Sequence, residues 1–206
     1  DRSEDGTAEA VQQNAPDGCS LEIVAGSPLP PGWAGKMWAL EQGRERLTTP
    51  LVLLLDADIE LAPGALPALV AAREEKGVAF LSLMVALEMR GFWQALLMPA
   101  FVYFFKLLYP FRLSNGPGRL IAAAAGGCIL TERDVLAGIG GFAVIKDAII
   151  DDCSLAHAVK WHGARTWIGL THSARSLRPY DGLGEIWRMV ARSAYTQLRH
   201  SIVLLL

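Results

Sequence analysis

The chain has 206 residues, enough to bury the core of one full α/β domain. A formal net charge of −2 at pH 7 removes any general electrostatic case for nucleic-acid binding. Hydrophobic residues make up 52%, high for a freely soluble protein, and Cys19, Cys128 and Cys153 show neither CxxC pairing nor ligand spacing with the histidines.

Those cysteines read as reduced and structural, which suits a cytoplasmic compartment. Positive charge gathers late: Arg165, Arg175, Arg178, Arg188, Arg192 and Arg199 stand against Asp181 and Glu185. Such a stretch suits a diphosphate or an anionic membrane surface, and equally an ordinary solvated face. The sequence opens at Asp1 without a Met and stops inside the apolar run 202–206. The expectation is a piece of a longer protein whose next element, from residue 201, starts a membrane segment.

Residues 1–7, DRSEDGT, form a polar loop with an Asp-Gly turn signal, and a helix-prone stretch follows to about Asn14. Residues 21–25 are a short strand candidate. Residues 28–40, PLPPGWAGKMWAL, are a Gly/Pro-rich loop that runs into a helix. Lys36 stands where loop becomes helix, a place where free N–H donors favour phosphate; the plainer reading is a solvated first-turn lysine.

Residues 51–59, LVLLLDADI, are the stretch around which the rest is organised. The apolar run, bounded by Pro50 and by Pro63-Gly64, reads as a buried strand of a parallel sheet. If the extended geometry persists, Asp56 and Asp58 point the same way. Two carboxylates together at the carboxyl end of a parallel strand repel each other unless a cation joins them. That edge is also where open α/β sheets bind ligands. The pair points to metal or phosphate work; the bland alternative is two turn residues ahead of a helix that begins near Pro63.

That helix runs to Lys76, and residues 78–87 suggest another strand. Residues 92–111 are almost wholly apolar and long enough to span a bilayer, but Lys106, Pro99 and Pro110 argue against a crossing. A helix lying in the membrane interface, one packed over an acceptor groove, or a buried amphipathic core helix remain open. Residues 121–130, IAAAAGGCIL, place Gly126-Gly127 after small residues, which lets a ligand or another backbone approach closely. Thr131 is a candidate cap for a helix from Glu132, and residues 138–141 form a flexible turn. Asp151 and Asp152 then open a helix to about His162, where acidic residues also simply favour the helix dipole. Residues 165–170 read as a final strand and 185–200 as a helix.

Taken in order, DxSxDGT (Asp1, Ser3, residues 5–7), GWxGKxxAL (32–40), DAD (56–58), Gly126-Gly127 and IDDxxLA (150–156) resemble a family 2 glycosyltransferase with the GT-A fold. The wording LPPGWAGKMWAL, LLLDADI and RPYDGLGEIWRMVARSAYTQLRHS is most similar to the hopanoid-biosynthesis-associated glycosyltransferases, membrane-anchored relatives of ceramide glucosyltransferases. The resemblance implies an α/β, Rossmann-like and mostly parallel sheet flanked by helices. Residues 1–200 would be the catalytic domain, lacking its first strands. The implied reaction is inverting transfer of a sugar from a nucleotide-sugar, a UDP-sugar by preference, to a hydroxyl acceptor. A lipid such as a hopanoid, at the cytoplasmic face of the membrane, is the implied acceptor.

By the same resemblance, Asp1 contacts the nucleotide and Lys36 approaches its diphosphate. Asp56 contacts the nucleotide-sugar, and Asp58 with Asp56 holds Mg²⁺ or Mn²⁺. Gly126 and Gly127 border the acceptor. Asp152 is the general base, while Asp151 replaces the usual Glu and is one methylene shorter. The family's Gln-x-x-Arg-Trp motif is not reproduced, so Arg192, Gln197 and Arg199 all stay open as diphosphate ligands. The chemistry is coherent in itself: a cation and a basic side chain stabilise the departing diphosphate, and a separate carboxylate takes the acceptor's proton.

Two rival readings carry weight. A haloacid-dehalogenase-like phosphatase also places Asp-x-Asp after an apolar strand, and Lys146-Asp147 with Asp151 mimics its later elements. Ile59-Glu60 in mid-domain fits that family poorly. A non-catalytic, membrane-associated nucleotide-binding module of the same fold is the other. A dinucleotide-binding dehydrogenase is disfavoured, because no GxGxxG follows a strand.

Overall fold

The computed structural model describes residues 3–197 apart from 149 and 181, with side chains as far as residue 191. Gly6, at φ 80°, makes the expected turn before helix α1 (Thr7–Asn14). Residues 21–25 do not form the expected strand. Leu21 and Ile23 are exposed there, and an isolated apolar pair without a neighbouring ladder has nothing to hold it extended. Helix α2 (Gly35–Arg44) follows the Gly/Pro loop, and its start is fixed where Ala34 N donates to Lys146 O at 2.7 Å.

Five strands make one sheet: β1 (Leu51–Leu55), β2 (Ile59–Leu61), β3 (Phe80–Ala86), β4 (Cys128–Glu132) and β5 (Thr166–Ser176), in the order β1-β4-β3-β5-β2. The sheet is mixed rather than mostly parallel. Only β3 and β5 run parallel; β1–β4, β3–β4 and β2–β5 are antiparallel. The class is nonetheless the expected one, α/β with helices flanking the sheet. The apolar strands gave the parallel reading because burial on both faces removes polar alternation whatever the strand direction. In β4, Ile129 packs with Met37, Phe80 and Phe142 on one face, and Cys128 and Leu130 pack with Leu69 and Leu81 on the other.

Residues 51–59 are likewise two short strands rather than one. Ile59 N donates to Asp56 O at 3.0 Å, closing a turn over the two aspartates. Four Cα steps from Leu55 to Ile59 reach roughly 14 Å, while four sheet spacings would take about 19 Å. The far half of β5 therefore bends back to meet β2. Residues 171–174 fall out of register with β3 between Met84 and Ala86 before Arg175 pairs with Ala86 on one side and Glu60 on the other.

Around the sheet lie α3 (Ala65–Lys76), α4 (Phe92–Leu108), α5 (Phe111–Ser114), α6 (Arg133–Gly138), a 3-10 turn (Gly141–Ile145), α7 (Asp151–His162) and α8 (Leu183–Gln197). Thr131 is not a helix cap: it lies inside β4 and its hydroxyl donates to Ala79 O at 3.2 Å. Helix α4 has 17 residues, and no helix among those described is long and apolar enough to cross a membrane. It packs through Gln94, Met98 and Phe105, and the Gln94 side-chain amide donates to Tyr180 O just ahead of α8. Buried Lys160 donates to Ile121 O at 2.8 Å and also to Leu113 O and Ser114 O, which ties α7 to the end of α5 and to the segment after it. Burial lowers the Lys160 pKa.

The chain enters α7 by way of Gly141, at φ +69°. A Cβ there would stand 2.5 Å from Glu41 Oε2 and 2.7 Å from Arg44 Nε. Glu41 is buried and accepts from Phe142 N at 2.7 Å; burial opposes its charge, but Arg44 and that N–H outweigh it and lower its pKa. Gly141→Ala therefore adds a left-handed backbone penalty to a broken buried ion pair. Urea unfolding should show a loss of about 2–4 kcal/mol.

Candidate active site

Three of the acidic residues singled out in the sequence, Asp56, Asp151 and Asp152, meet in one pocket with Lys36. The 3-10 turn and α2 bring Lys36 across to both β1 and α7. Its Nζ lies 3.1 Å from Asp56 Oδ1 and 3.0 Å from Asp151 Oδ2. Burial works against the charge on Lys36, but Asp151 and then Asp56 outweigh it and raise its pKa. Asp151 is thus held by a cation rather than simply capping α7.

Asp152 faces the glycine pair. Its Oδ2 accepts from Gly126 N at 2.9 Å and its Oδ1 from Cys153 N at 2.7 Å. The residue keeps some surface exposure, but its carboxyl is crowded by protein atoms. That burial, then the neighbouring Asp151, pushes its pKa up to about 6 against the pull of the two N–H donors and Lys36. A carboxylate so placed is a stronger base than a free one, and the same residue on a solvated helix start would not be.

The two glycines differ. A Cβ on Gly126 would lie 3.6 Å from Asp152 and 3.7 Å from Lys36 Nζ, so it adjoins the charged groups. On Gly127 it would meet Ile59 at 3.3 Å and Val85 at 3.4 Å, so that face is filled by core side chains. Lys36, Asp56, Gly126, Asp151 and Asp152 line one pocket of about 30 Å³, little more than the space of one water. A nucleotide diphosphate enters it only if Lys36 shifts from its two carboxylates.

Asp56 and Asp58 diverge at the turn, contrary to the extended-strand expectation. Asp58 Oδ2 accepts from Ser176 Oγ at 2.7 Å, and Asp58 O accepts from Leu177 N at 2.7 Å. Ser176 gives no sequence signal of its own. Only the β2–β5 register, which sets Ile59 opposite Ser176, reveals it. Among the described residues no group of three or more His, Cys, Asp or Glu side chains could hold a metal. Hard carboxylate oxygens suit Mg²⁺ or Mn²⁺, with water and substrate phosphate filling the rest of the shell, but Asp56 and Asp58 share such a cation only once they leave their present partners, Lys36 and Ser176. Asp1 and the side chains of Arg192 and Gln197 lie outside the described residues, as does Arg199.

Asp147 lies away from Asp56, in a second cleft behind α7, so the phosphatase constellation is not assembled. The sequence profile of the glycosyltransferase-like family 2 matches residues 1–196, and the chain belongs to that family. No protein of curated function matches it. Among solved structures it is similar to mannosyl-3-phosphoglycerate synthase from Rubrobacter xylanophilus, at 20% identity and a TM-score of 0.49. The likeness covers 96% of this chain and 61% of that one, so the chain spans about three fifths of that enzyme's length.

Proposed function

We propose that the chain is the catalytic part of an inverting glycosyltransferase that moves a sugar from a nucleotide-sugar, UDP-linked by preference, to the hydroxyl of a lipid. The observation that carries this reading, in a chain of this family, is a crowded carboxylate of raised pKa, Asp152, in the same pocket as Lys36 and Asp56. Asp56 stands on the turn after β1, Asp152 at the start of α7 against Gly126, and Lys36 joins Asp56 to the neighbouring Asp151. The acceptor oxygen attacks the anomeric carbon as the bond to the diphosphate breaks. Its proton passes to Asp152, and the diphosphate takes the bonding electrons. Lys36, released from Asp151, meets the charge that builds on the leaving oxygens. A divalent cation held by Asp58 and Asp56 would add Lewis-acid stabilisation there.

The lipid acceptor, a hopanoid-like alcohol by the resemblance, and a place at the cytoplasmic face of a membrane are supported by composition. The outer face of α4 exposes Phe92, Leu96, Tyr103 and Leu107, an apolar stripe of the kind that lies in a bilayer interface. Full-length protein that stays in the supernatant on vesicle sedimentation would remove that part of the proposal. The donor half is tested by titrating UDP calorimetrically with and without Mn²⁺. Metal-dependent binding should weaken at least tenfold in Asp58→Ala, about 1.4 kcal/mol. Equal affinity in the variant would take Asp58 out of the donor site.

A further inference from the structure

Helix α7 separates two cavities. Its Asp152 and Leu155 face the acid pocket, while Ser154, Ala158 and Trp161, on the alternate helical face, line an open cleft of about 1210 Å³. Ile145 lines both, and Ile150 and Cys153 of the cleft flank the two aspartates in sequence. The cleft thus begins at the same helical turn that carries the base.

Its rim is apolar and unusually open to solvent. Leu120 is 89% exposed and Trp161 60%, with Val144 and Leu108 beside them. Leu108 ends α4, so the rim continues the apolar outer face of that helix. Between Glu88 and Glu132 there is no Asp or Glu, while Arg90, Lys106, Arg112 and Arg119 fall in that stretch. The cleft itself is mixed, since Asp147, His157 and His162 share its lining with the apolar side chains. It is the α4 side leading to it that carries cations and no carboxylate and is complementary to an anionic bilayer. The volume exceeds the roughly 300–1,000 Å³ of ordinary small-molecule pockets.

We propose that this cleft holds the hydrocarbon body of a bilayer-resident lipid alcohol, which enters from the α4 side and brings its hydroxyl round the first turn of α7 to Asp152. The proposal rests on the glycosyl-transfer reading for what happens to that hydroxyl. The occupancy of the cleft is a separate matter and is tested separately.

The probe is a long-chain alcohol bearing a diazirine, incorporated in phosphatidylglycerol-containing vesicles with the full-length protein. After irradiation, adducts are mapped by mass spectrometry, and UDP binding is measured on the same preparations. Adducts within residues 154–161 and 120–122 are expected. Ala158→Phe and Ser154→Leu, which narrow the cleft where it meets α7, should each reduce the adducts within 154–161 at least tenfold without changing UDP affinity. Adducts confined to residues 92–107 in the wild-type protein would overturn the proposal, whatever the variants do. So would cleft adducts undiminished in both variants. UDP binding without cleft adducts leaves the transferase and removes the cleft; cleft adducts without UDP binding do the reverse.

Discussion

Asp152→Asn is expected to lower sugar transfer by about 10²–10⁴-fold while leaving UDP affinity unchanged. An amide keeps the volume and one of the two acceptor positions toward Gly126 N and Cys153 N, but cannot take a proton. In the wild-type protein kcat/KM should rise about tenfold per pH unit below pH 6 and level above it, because burial and Asp151 push the Asp152 pKa up to about 6. Stability should carry the opposite slope. The folded chain holds this proton to a higher pH than the unfolded chain, where the ordinary value is 3.8. The contribution is fully present below about pH 4 and is lost as pH rises through 6. A shift of about two units is worth at most roughly 3 kcal/mol. Urea unfolding of both proteins between pH 4 and 7 isolates it, since every other titrating group is shared. The wild-type protein should lose about 1–3 kcal/mol relative to the variant across that window. Parallel curves would mean that Asp152 titrates as an ordinary carboxylate and is not the base.

The acid pair at residue 151 was visible in the sequence as a helix start, and its second role was not. Two adjacent carboxylates in a first helical turn satisfy the helix dipole in any protein. What distinguishes them here is Lys36, more than a hundred residues earlier, and the close approach of Gly126. Distance in sequence hides such pairing, and only the ordered motifs of a family carried it. The Lys36 position at the start of α2 was legible because Gly35 and the preceding prolines end the loop there.

The sheet was read less well for a physical reason. Strands buried on both faces have the same apolar look whether their neighbours run parallel or antiparallel, so β1 gave no sign of its direction, and β4 went unread as a strand behind the small residues 122–127. The turn at Asp56-Ala57-Asp58 was equally hidden, since nothing local forbids the strand from continuing. It is imposed from outside, by β5 bending back to pair with β2 and by Ser176 holding Asp58. Helices α1, α3 and α7 were read to within a few residues, because αL glycines stand at their ends: Gly6 before α1, Gly77 and Gly163 after the other two.

Lys36→Met should weaken UDP binding at least tenfold and slow transfer by about 10²–10³-fold. The counter-expectation is real: half-exposed ion pairs in water are worth about 0–1 kcal/mol, and Lys36 is exposed enough for its two contacts to contribute little to folding. Its importance lies instead in what surrounds it. Asp56, Asp151 and Asp152 line one small pocket with Lys36 as the cation among them. Without it, Asp152 loses one of the influences that hold its pKa down. The base limb of the pH profile should therefore move above 6 as well as the rate falling. Lys36→Arg keeps the charge but places it in a broad planar fork, so the limb should return while diphosphate binding recovers only in part. A purely surface role predicts something different: melting temperature, UDP affinity and the limb all unchanged in Lys36→Met. Loss of UDP binding with an unmoved limb would confine Lys36 to the donor, and would break the link between donor binding and the base.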